Sequence, residues 1–166
     1  MIKPQIYKVK TMGQGFLAVM AKPVAGEWIE DEFLAIAQAD IKQIVSLLEV
    51  NEAYELGLQN EQEYTEKNHM EFISFPIKDR NIPLSHSKFE QLIQQLYQDI
   101  KQGKNTVVHC RAGIGRTGLV AAAILMQDGF SVESACEMVS NKRGVVVPET
   151  QAQRDWLTNN ANKNYY

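Results

Sequence analysis

The sequence predicts an α/β domain with a central, mostly parallel sheet flanked by helices. Short apolar runs of strand length alternate along the chain with segments whose apolar residues recur at helical spacing. One such run, residues 106–109, leads through a Gly-rich turn into an apolar helix, as in a parallel βα unit. No repeat, low-complexity segment or Pro/Gly/Ser-rich linker interrupts the 166 residues, so we expect a single domain over residues 1–166.

The first half of the chain already alternates strand with helix. Residues 27–39 are predicted to be helical, because Ile29, Phe33, Ile36 and Ala37 recur at helical spacing. Residues 51–68 are polar, with only weak helical periodicity. Three short apolar runs are the predicted strands of this half: residues 14–20, 43–48 and 70–76, the last closed by Pro76.

The second half contains the best-marked helix, which follows a loop at residues 77–84. Ser87 and Glu90 fit a capping box, and Gly103 follows the last apolar turn. One face of this predicted helix is apolar and therefore expected to be buried. Its residues are Phe89, Leu92, Ile93, Leu96, Tyr97 and Ile100.

Four further elements complete the predicted order. Residues 106–109 are expected to form a buried strand, and residues 119–126 are apolar on every side, which places that helix in the middle of the domain. Two more helices are expected at residues 132–141 and 148–159. Pro148 would stand near the first-turn position, where a missing N–H is tolerated.

The composition argues against several classes of function. A net charge of −3 gives no support for nucleic-acid binding. No apolar run approaches the ~18 residues of a membrane span, and residues 1–10 lack the apolar stretch of a secretory signal, so a cytoplasmic protein is expected. Two cysteines and three histidines without ligand-like spacing predict neither a metal site nor a cofactor. The oligomeric state is not indicated.

The turn between the buried strand and the central helix is the predicted functional site. It reads His109-Cys110-Arg111-Ala112-Gly113-Ile114-Gly115-Arg116-Thr117-Gly118. Gly113 and Gly115 allow the backbone to curl with its N–H groups inward, and the helix that follows adds the positive end of its dipole. We therefore expect a phosphate-sized cradle, built by Arg111, Ala112, Gly113, Ile114, Gly115 and Arg116.

Three side chains of this turn suit phosphoryl chemistry. Cys110 opens the cradle, where inward N–H groups favour a thiolate over a thiol. Arg116 can offer a planar pair of donors to two phosphoryl oxygens, which a lysine cannot do. Thr117 can place a hydroxyl near the sulfur and assist its departure. Arg111 is either an ordinary solvated charge or a contact for a second acidic group on the substrate.

The pattern Cys-x-x-Gly-x-x-Arg-Thr preceded by His resembles the active-site motif of the protein tyrosine and dual-specificity phosphatase superfamily. The resemblance implies a tyrosine-phosphatase-like fold and a protein phosphatase that forms a phosphocysteine intermediate without a metal. Its substrate would be a phosphorylated protein or peptide, carrying phosphotyrosine, with phosphoserine and phosphothreonine left open. By the same resemblance Cys110 is the nucleophile, Arg116 binds phosphate, and His109 orients and acidifies the cysteine.

A general acid is needed because transfer of phosphate to sulfur expels an alkoxide or a phenoxide. The best candidate is Asp79, in a loop flanked by Pro76 and Pro83 that follows a predicted strand. This loop is similar to the mobile acid loop of dual-specificity phosphatases, most closely to the Pro-Ile-x-Asp arrangement of the kinase-associated phosphatase type. The sequence therefore supplies a second motif, well separated from the first.

Residues 149–153, Glu-Thr-Gln-Ala-Gln, resemble the Gln-Thr-x-x-Gln loop that positions water in tyrosine-specific phosphatases. The first position departs from that pattern, since Glu149 replaces glutamine. Gln153 is therefore the predicted water-positioning residue, and Gln151 is the alternative.

Other interpretations of these motifs remain. Gly113-x-Gly115-x-x-Gly118 also fits a dinucleotide-binding fingerprint, but that fold needs a strand after the helix, where residues 131–141 predict another helix. A non-catalytic phosphate-binding protein would be marked by loss of the cysteine, the arginine or the aspartate. Cys136 lies on an apolar stripe and is expected in the core, with a protective disulfide to an oxidised Cys110 as the alternative.

Overall fold

The structure is a computed structural model that describes residues 3–163. These residues form a five-stranded sheet in the order β1-β2-β5-β3-β4. β1 and β2 are antiparallel and the other neighbours are parallel, so the predicted mostly parallel sheet is confirmed. The strands are β1 (Tyr7–Met12), β2 (Gly15–Met20), β3 (Gln43–Ser46), β4 (Glu71–Ser74) and β5 (Thr106–His109).

Seven helices accompany the sheet in the described residues. The sequence predicts a helix in each of these regions, although residues 51–68 divide into two short helices instead of one weak one. The helices are α1 (Ile29–Gln38), α2 (Val50–Glu55), α3 (Glu61–Lys67), α4 (His86–Lys101), α5 (Gly115–Gln127), α6 (Val132–Arg143) and α7 (Gln151–Lys163).

Both faces of the sheet are covered, as the apolar residues on consecutive strand positions require. Val45 of β3 and Val108 of β5 contribute to the core that also holds α4, α5, α6 and α7. Their neighbours Ile44 and Val107 point to the opposite core, which holds α1. Each such side chain contributes about 1.5–3 kcal/mol by leaving water, so the two cores fix the sheet on both sides.

Strand β1 was not predicted, because it lies at the sheet edge and its pattern is irregular. Only Val9 and Met12 are buried along it, and the pairing with β2 shifts between Lys8 and Lys10. A shift of this kind breaks the alternation of apolar and polar residues by which strands are recognised.

Two predicted helix starts were wrong. α4 begins at His86 and its cap is Ser85, whose Oγ accepts a hydrogen bond from the Lys88 N–H (3.2 Å), so the predicted capping box at Ser87 does not form. α7 begins at Gln151 and not at Pro148. There the hydroxyl oxygen of Thr150 accepts a hydrogen bond from the Gln153 N–H (3.2 Å). In both cases the side chain that satisfies a free N–H sets the start of the helix.

Helix α5 is the centre of the molecule, as predicted, and it begins earlier than its apolar pattern suggests. Every residue from Gly115 to Leu125 is buried, and the helix lies between the sheet and its neighbours α4, α6 and α7. Because the helix starts at Gly115, Arg116 and Thr117 belong to its first turn. Gly118 allows close packing, since an added Cβ would lie 2.6 Å from the Val147 Cβ.

Candidate active site

The turn between β5 and α5 is held open by donors that lie outside it. In a trans peptide the C=O and the N–H point in opposite directions, so a carbonyl held outward directs the next N–H inward. Four successive carbonyls of this turn are held in that way. They are Cys110 O by the His109 Nδ1–H (3.1 Å), Arg111 O by the Lys22 N–H (3.1 Å), Ala112 O by Arg143 Nη2 (2.9 Å) and Gly113 O by Arg143 Nε (3.1 Å).

Gly113 is required by this geometry. Its φ is +74°, in the left-handed region, and an added Cβ would lie 2.4 Å from the Met20 carbonyl oxygen. A side chain at this position would therefore be strained and would push the turn away from β2. We refer to residues 110–116 as the phosphate cradle, after the phosphate-binding role that the sequence predicts for this turn.

Cys110 faces a hollow of about 280 Å³ at the carboxyl ends of the parallel strands. Its side chain is only 3% exposed, so the sulfur lies at the base of the hollow. The hollow brings together most of the residues singled out in the sequence. Its lining consists of Asp79, Arg80, Cys110, Arg111, Ala112, Gly115, Arg116 and Glu149.

Arg116 is buried beneath this hollow and paired with a carboxylate that the sequence did not indicate. Its Nη1 and Nη2 donate to the two carboxylate oxygens of Glu52, at 2.7 and 2.9 Å, and Nη1 also donates to the Ile77 carbonyl oxygen at 2.9 Å. Burial alone would raise the pKa of Glu52, but the hydrogen bonds and charge of Arg116 hold that pKa below its ordinary value. Burial is the largest single influence on the pKa of Arg116 and would lower it. The hydrogen bond to Glu52, together with the charges of Cys110, Glu52 and Asp79, outweighs burial, so the pKa of Arg116 is raised.

The other edge of the Arg116 guanidinium remains available. Among the described residues its Nε–H has no hydrogen-bond partner although it is buried. Nη2, on the same edge, lies 3.2 Å from Asp79 Oδ1. A guanidinium presents two pairs of parallel donors, and Glu52 occupies only the Nη1 and Nη2 pair. The Nε and Nη2 pair can therefore serve a second oxyanion group.

His109 connects the cradle to a second buried carboxylate. Its Nε2 lies 2.5 Å from Glu61 Oε2, and the two side chains are 0% and 4% exposed. Burial alone would lower the pKa of His109, but the charge and hydrogen bond of Glu61 and the Cys110 carbonyl raise it above the usual value. The ring is thus favoured in its protonated form.

The loop that carries Asp79 lies over one side of the hollow. Its base is fixed by Ile77, whose side chain is buried and whose N–H donates to the Leu47 carbonyl oxygen (3.0 Å). The tip is solvated: Asp79 is 51% exposed, and the neighbouring Arg80 forms an exposed ion pair with Glu149. The acid candidate therefore stands at the mouth of the hollow, and the nucleophile candidate lies at its base.

Gln153 and Gln151 occupy different surroundings. Gln153 is fully buried against Gly115, with Oε1 accepting from the Thr150 N–H (3.2 Å) and Nε2 donating to the Asn81 carbonyl oxygen (3.1 Å). Gln151 is exposed and bonded along the helix surface to Asp155. Only Gln153 lies against the cradle.

Thr117 and Cys136 are both buried, whereas Ile114 of the cradle is only partly buried. The Thr117 hydroxyl, in the first turn of α5, has no hydrogen-bond partner within the described residues. Cys136 lies in the core with Val139 on α6, and burial raises the pKa of its thiol. Both cysteines are free, and the position of Cys136 agrees with the packing role expected from its apolar stripe.

Sequence reasoning missed three residues that contact the site: Glu52, Glu61 and Arg143. The two glutamates lie in the polar segment that looked merely solvated, and Arg143 ends α6. A buried arginine needs a carboxylate partner, so the motif itself implied an acid near Arg116. With 20 acidic residues in the chain, only the tertiary structure could identify which one.

The described residues meet neither the requirements of a metal-ion site nor those of a membrane-spanning helix. No group of three or more His, Cys, Asp or Glu side chains is placed to hold a metal ion. No helix within residues 3–163 has the length and hydropathy needed to cross a membrane.

The fold and the site together define a class: an α/β domain whose backbone N–H cradle joins a cysteine and an arginine at the carboxyl edge of a parallel sheet. The family model for the dual specificity phosphatase catalytic domain matches residues 33–162. The chain belongs to this family. The resemblance in the Cys-to-Arg motif is thereby confirmed.

Individual relatives agree with this assignment. One relative is tyrosine phosphatase 197R, so named, of Invertebrate iridescent virus 6. It is 32% identical to this chain over 110 residues, which cover 62% of this chain and 40% of that protein. A crystal structure of kinase associated phosphatase, with serine in place of its catalytic-site cysteine, superposes with a TM-score of 0.87 at 20% identity and covers 98% of this chain and 96% of that one. The active form of Tk-PTP gives a TM-score of 0.75 at 28% identity, covering 95% and 97%.

The curated relatives are longer than the match. The chain spans less than half the length of the first three of them. Similarity to the kinase associated phosphatase structure, at its low identity, establishes the tyrosine-phosphatase-like fold alone.

Proposed function

We propose that the protein is a cysteine-dependent phosphatase that hydrolyses phosphotyrosine, and also phosphoserine or phosphothreonine, in a phosphorylated protein or peptide. One observation carries the proposal: the sulfur of Cys110 lies at the base of a hollow that also presents Arg116 and, at its mouth, Asp79. Residues 1–166 would constitute one catalytic domain, and neither a metal nor a nucleic acid has a part in the reaction.

In the first step the Cys110 thiolate attacks phosphorus, forming a S–P bond as the bond to the ester oxygen breaks. The cradle N–H groups and the Nε and Nη2 edge of Arg116 would bind the phosphoryl oxygens, on which charge is greatest in the transition state. Asp79, protonated at this stage, gives its proton to the departing oxygen. The products are the dephosphorylated hydroxyl group and phosphocysteine.

In the second step water attacks the phosphocysteine and the S–P bond breaks. Asp79, now ionised, accepts a proton from the water, and the sulfur leaves as a thiolate, which restores the enzyme and releases inorganic phosphate. The Thr117 hydroxyl, which finds no hydrogen-bond partner within residues 3–163, would support this thiolate. Gln153 would orient the water, and for this its Nε2 has to leave the Asn81 carbonyl, which links this role to movement of the acid loop.

The shape of the hollow supports more than one phosphoamino acid as substrate. Among the described residues its lining contains no aromatic side chain that would deepen it to the length of a phosphotyrosine ring. Asp79 is half exposed at the mouth, within reach of a short leaving group as well as a long one. Because Cys110 must remain a free thiol, we place the enzyme in the reducing cytoplasm.

The decisive experiment is hydrolysis of p-nitrophenyl phosphate by wild type and by Cys110→Ser. We expect turnover in the presence of EDTA, inhibition by vanadate, and no turnover by Cys110→Ser, since a serine hydroxyl is not ionised in this setting. Cys136→Ser is the matched control and should retain turnover. Activity of Cys110→Ser close to that of wild type would refute the mechanism.

Substrate class is tested separately, by comparing phosphotyrosine, phosphoserine and phosphothreonine peptides with a phosphoinositide at equal concentration. We expect the highest kcat/KM for phosphotyrosine and measurable turnover of the other two peptides. Strict phosphotyrosine turnover, or faster turnover of the phosphoinositide, would contradict the proposed substrate range.

A further inference from the structure

Glu61 lies at the start of α3, far from the motif in sequence, and contacts the residue that precedes the nucleophile. Its Oε2 lies 2.5 Å from His109 Nε2. Both side chains are almost completely buried. A short, charge-assisted hydrogen bond between buried groups is among the stronger polar interactions in a protein, and it fixes the orientation of the imidazole ring.

The opposite nitrogen of the ring contacts the cradle itself. His109 Nδ1 lies 3.1 Å from the Cys110 carbonyl oxygen, and because a carbonyl can only accept, Nδ1 must carry a hydrogen. The ring is therefore fixed at both nitrogens, between a carboxylate and the backbone of the nucleophile. The Cys110 carbonyl is the first of the four that are held outward.

We propose that Glu61 is a positioning residue for Cys110, acting through His109. By holding the ring it keeps the Cys110 carbonyl outward and the Arg111 N–H inward, and it retains an imidazolium whose Nδ1 side is turned toward the nucleophile. The inference rests on the proposed function only in taking Cys110 as the nucleophile.

The charges around this pair are consistent with that role. Glu61 contacts the Nε2 side of the ring, away from the Cys110 backbone, so the positive charge of the imidazolium lies nearer to Cys110 than the negative charge does. The charge of Arg116, on α5, lowers the pKa of His109. The charge and the hydrogen bond of Glu61 act in the opposite direction and are larger, and the pKa of His109 is raised overall. Cys110 itself shares its hollow with the cations Arg80, Arg111 and Arg116 and with the carboxylates Asp79 and Glu149.

The test measures the thiolate directly and does not need turnover. The full chain is alkylated with iodoacetamide over a range of pH, and mass spectrometry follows the peptide that contains Cys110. In Glu61→Gln we expect the midpoint of alkylation to move up by about one pH unit, a tenfold change in the thiolate equilibrium. Glu63→Gln is the matched control, because Glu63 is exposed on the same helix and, in the described part of the chain, forms an ion pair only with Lys67 at the surface.

Two further variants separate positioning from a merely structural effect. Glu61→Asp keeps the charge but shortens the side chain, and its midpoint should lie between those of wild type and Glu61→Gln. In a His109→Gln background, Glu61→Gln should add no shift, since its effect passes through the ring. If Glu61→Gln fails to fold, the test rests on whether the alkylation midpoint of Glu61→Asp lies above that of wild type.

The proposal is overturned if the folded Glu61 variants show the wild-type midpoint, or if Glu61→Gln still shifts the midpoint in the His109→Gln background. Failure of the proposed function looks different. It would show as absence of p-nitrophenyl phosphate turnover by wild type, whatever the alkylation curves are.

Discussion

The base of the hollow and its mouth hold their charges in opposite ways. At the base, Arg116 pairs with Glu52, and His109 with Glu61, out of contact with water. At the mouth, Asp79 is half exposed, and the Arg80–Glu149 pair has side chains that are 60% and 38% exposed. The groups proposed to bind phosphate are thus buried, and those proposed to surround the leaving group are exposed to water.

This difference has energetic consequences. Breaking a buried ion pair leaves an uncompensated charge in the interior and costs about 3–5 kcal/mol, whereas exposed pairs contribute about 0–1 kcal/mol. The base of the cradle should therefore be rigid. The tip of the loop that carries Asp79 is solvated, and we expect it to open to admit substrate and to close over it, which requires the contacts of Asp79 with Arg116 and of Asn81 with Gln153 to break and form again.

The largest effect is expected at the mouth, on the chemical step alone. Asp79→Asn removes the transferable proton but keeps the size of the side chain, and kcat should fall by about 10²–10⁴. The free energy of unfolding should fall by about 1 kcal/mol or less, since Asp79 also pairs with Arg116 but is half exposed, and Arg116 keeps Glu52 as its counter-charge. Steady-state kinetics on a phosphoserine peptide, whose leaving group needs the acid most, measures kcat. Urea denaturation measures the free energy of unfolding. A kcat within threefold of wild type would rule out Asp79 as the acid.

Glu52→Gln should produce the opposite pattern at the base, with a loss of stability of about 3 kcal/mol, because a neutral amide leaves the Arg116 charge buried without a counter-charge. Glu63→Gln, which removes an exposed pair with Lys67, should cost about 0.5 kcal/mol or less. Urea denaturation at pH 7 measures both. Equal losses in the two variants would show that the base is no more rigid than the surface.

The same pair predicts a pH dependence. The pKa of Glu52 is lower in the folded chain than in the unfolded chain, so the pair stabilises the folded state above the unfolded value of about 4.3. That contribution is lost as the pH falls through the folded-state pKa. The stability difference between wild type and Glu52→Gln should therefore be full at pH 7 and shrink below pH 4. A difference that is constant from pH 7 to pH 3 would contradict the assigned ionisation.

A smaller effect is expected from Arg143, which supports the cradle from outside. Arg143→Gln removes the donors to the Ala112 and Gly113 carbonyls, so two inward N–H groups lose their fixed direction. Inhibition by inorganic phosphate should weaken about tenfold, equivalent to about 1.4 kcal/mol. Lys142→Gln, on the adjacent exposed position, should leave the inhibition constant unchanged. Equal inhibition constants in wild type and Arg143→Gln would contradict the prediction that Arg143 supports the phosphate cradle.

The base and the mouth also differ in how far the sequence reveals them. Asp79 and the cradle residues lie in or beside strong local signals, a loop between prolines and a Gly-rich turn. The structure brings Asp79 into one hollow with five of the cradle residues, namely Cys110, Arg111, Ala112, Gly115 and Arg116. Glu52 and Glu61 could not be chosen from the other acids, because their burial depends on how α2 and α3 lie against the sheet. The element order was predictable from apolar periodicity, whereas β1 and the starts of α4 and α7 depend on pairing shifts and single caps.

The smallest effect is expected from the Arg80–Glu149 pair, which joins the acid loop to the residue where the chain departs from the glutamine of the tyrosine-specific pattern. If the pair favours the closed loop, Arg80→Gln and Glu149→Gln should each lower kcat/KM by at most about fivefold, the equivalent of 1 kcal/mol for an exposed pair. The charge-reversed double variant, Arg80→Glu with Glu149→Arg, should recover part of the loss, and 1 M salt should reduce the difference from wild type. Lys78→Gln is the control for a general change of loop charge. A loss in the single variants that neither reversal nor salt affects would mean that closure depends on the buried Gln153 contact to Asn81, and the solvated pair would then have no part in it.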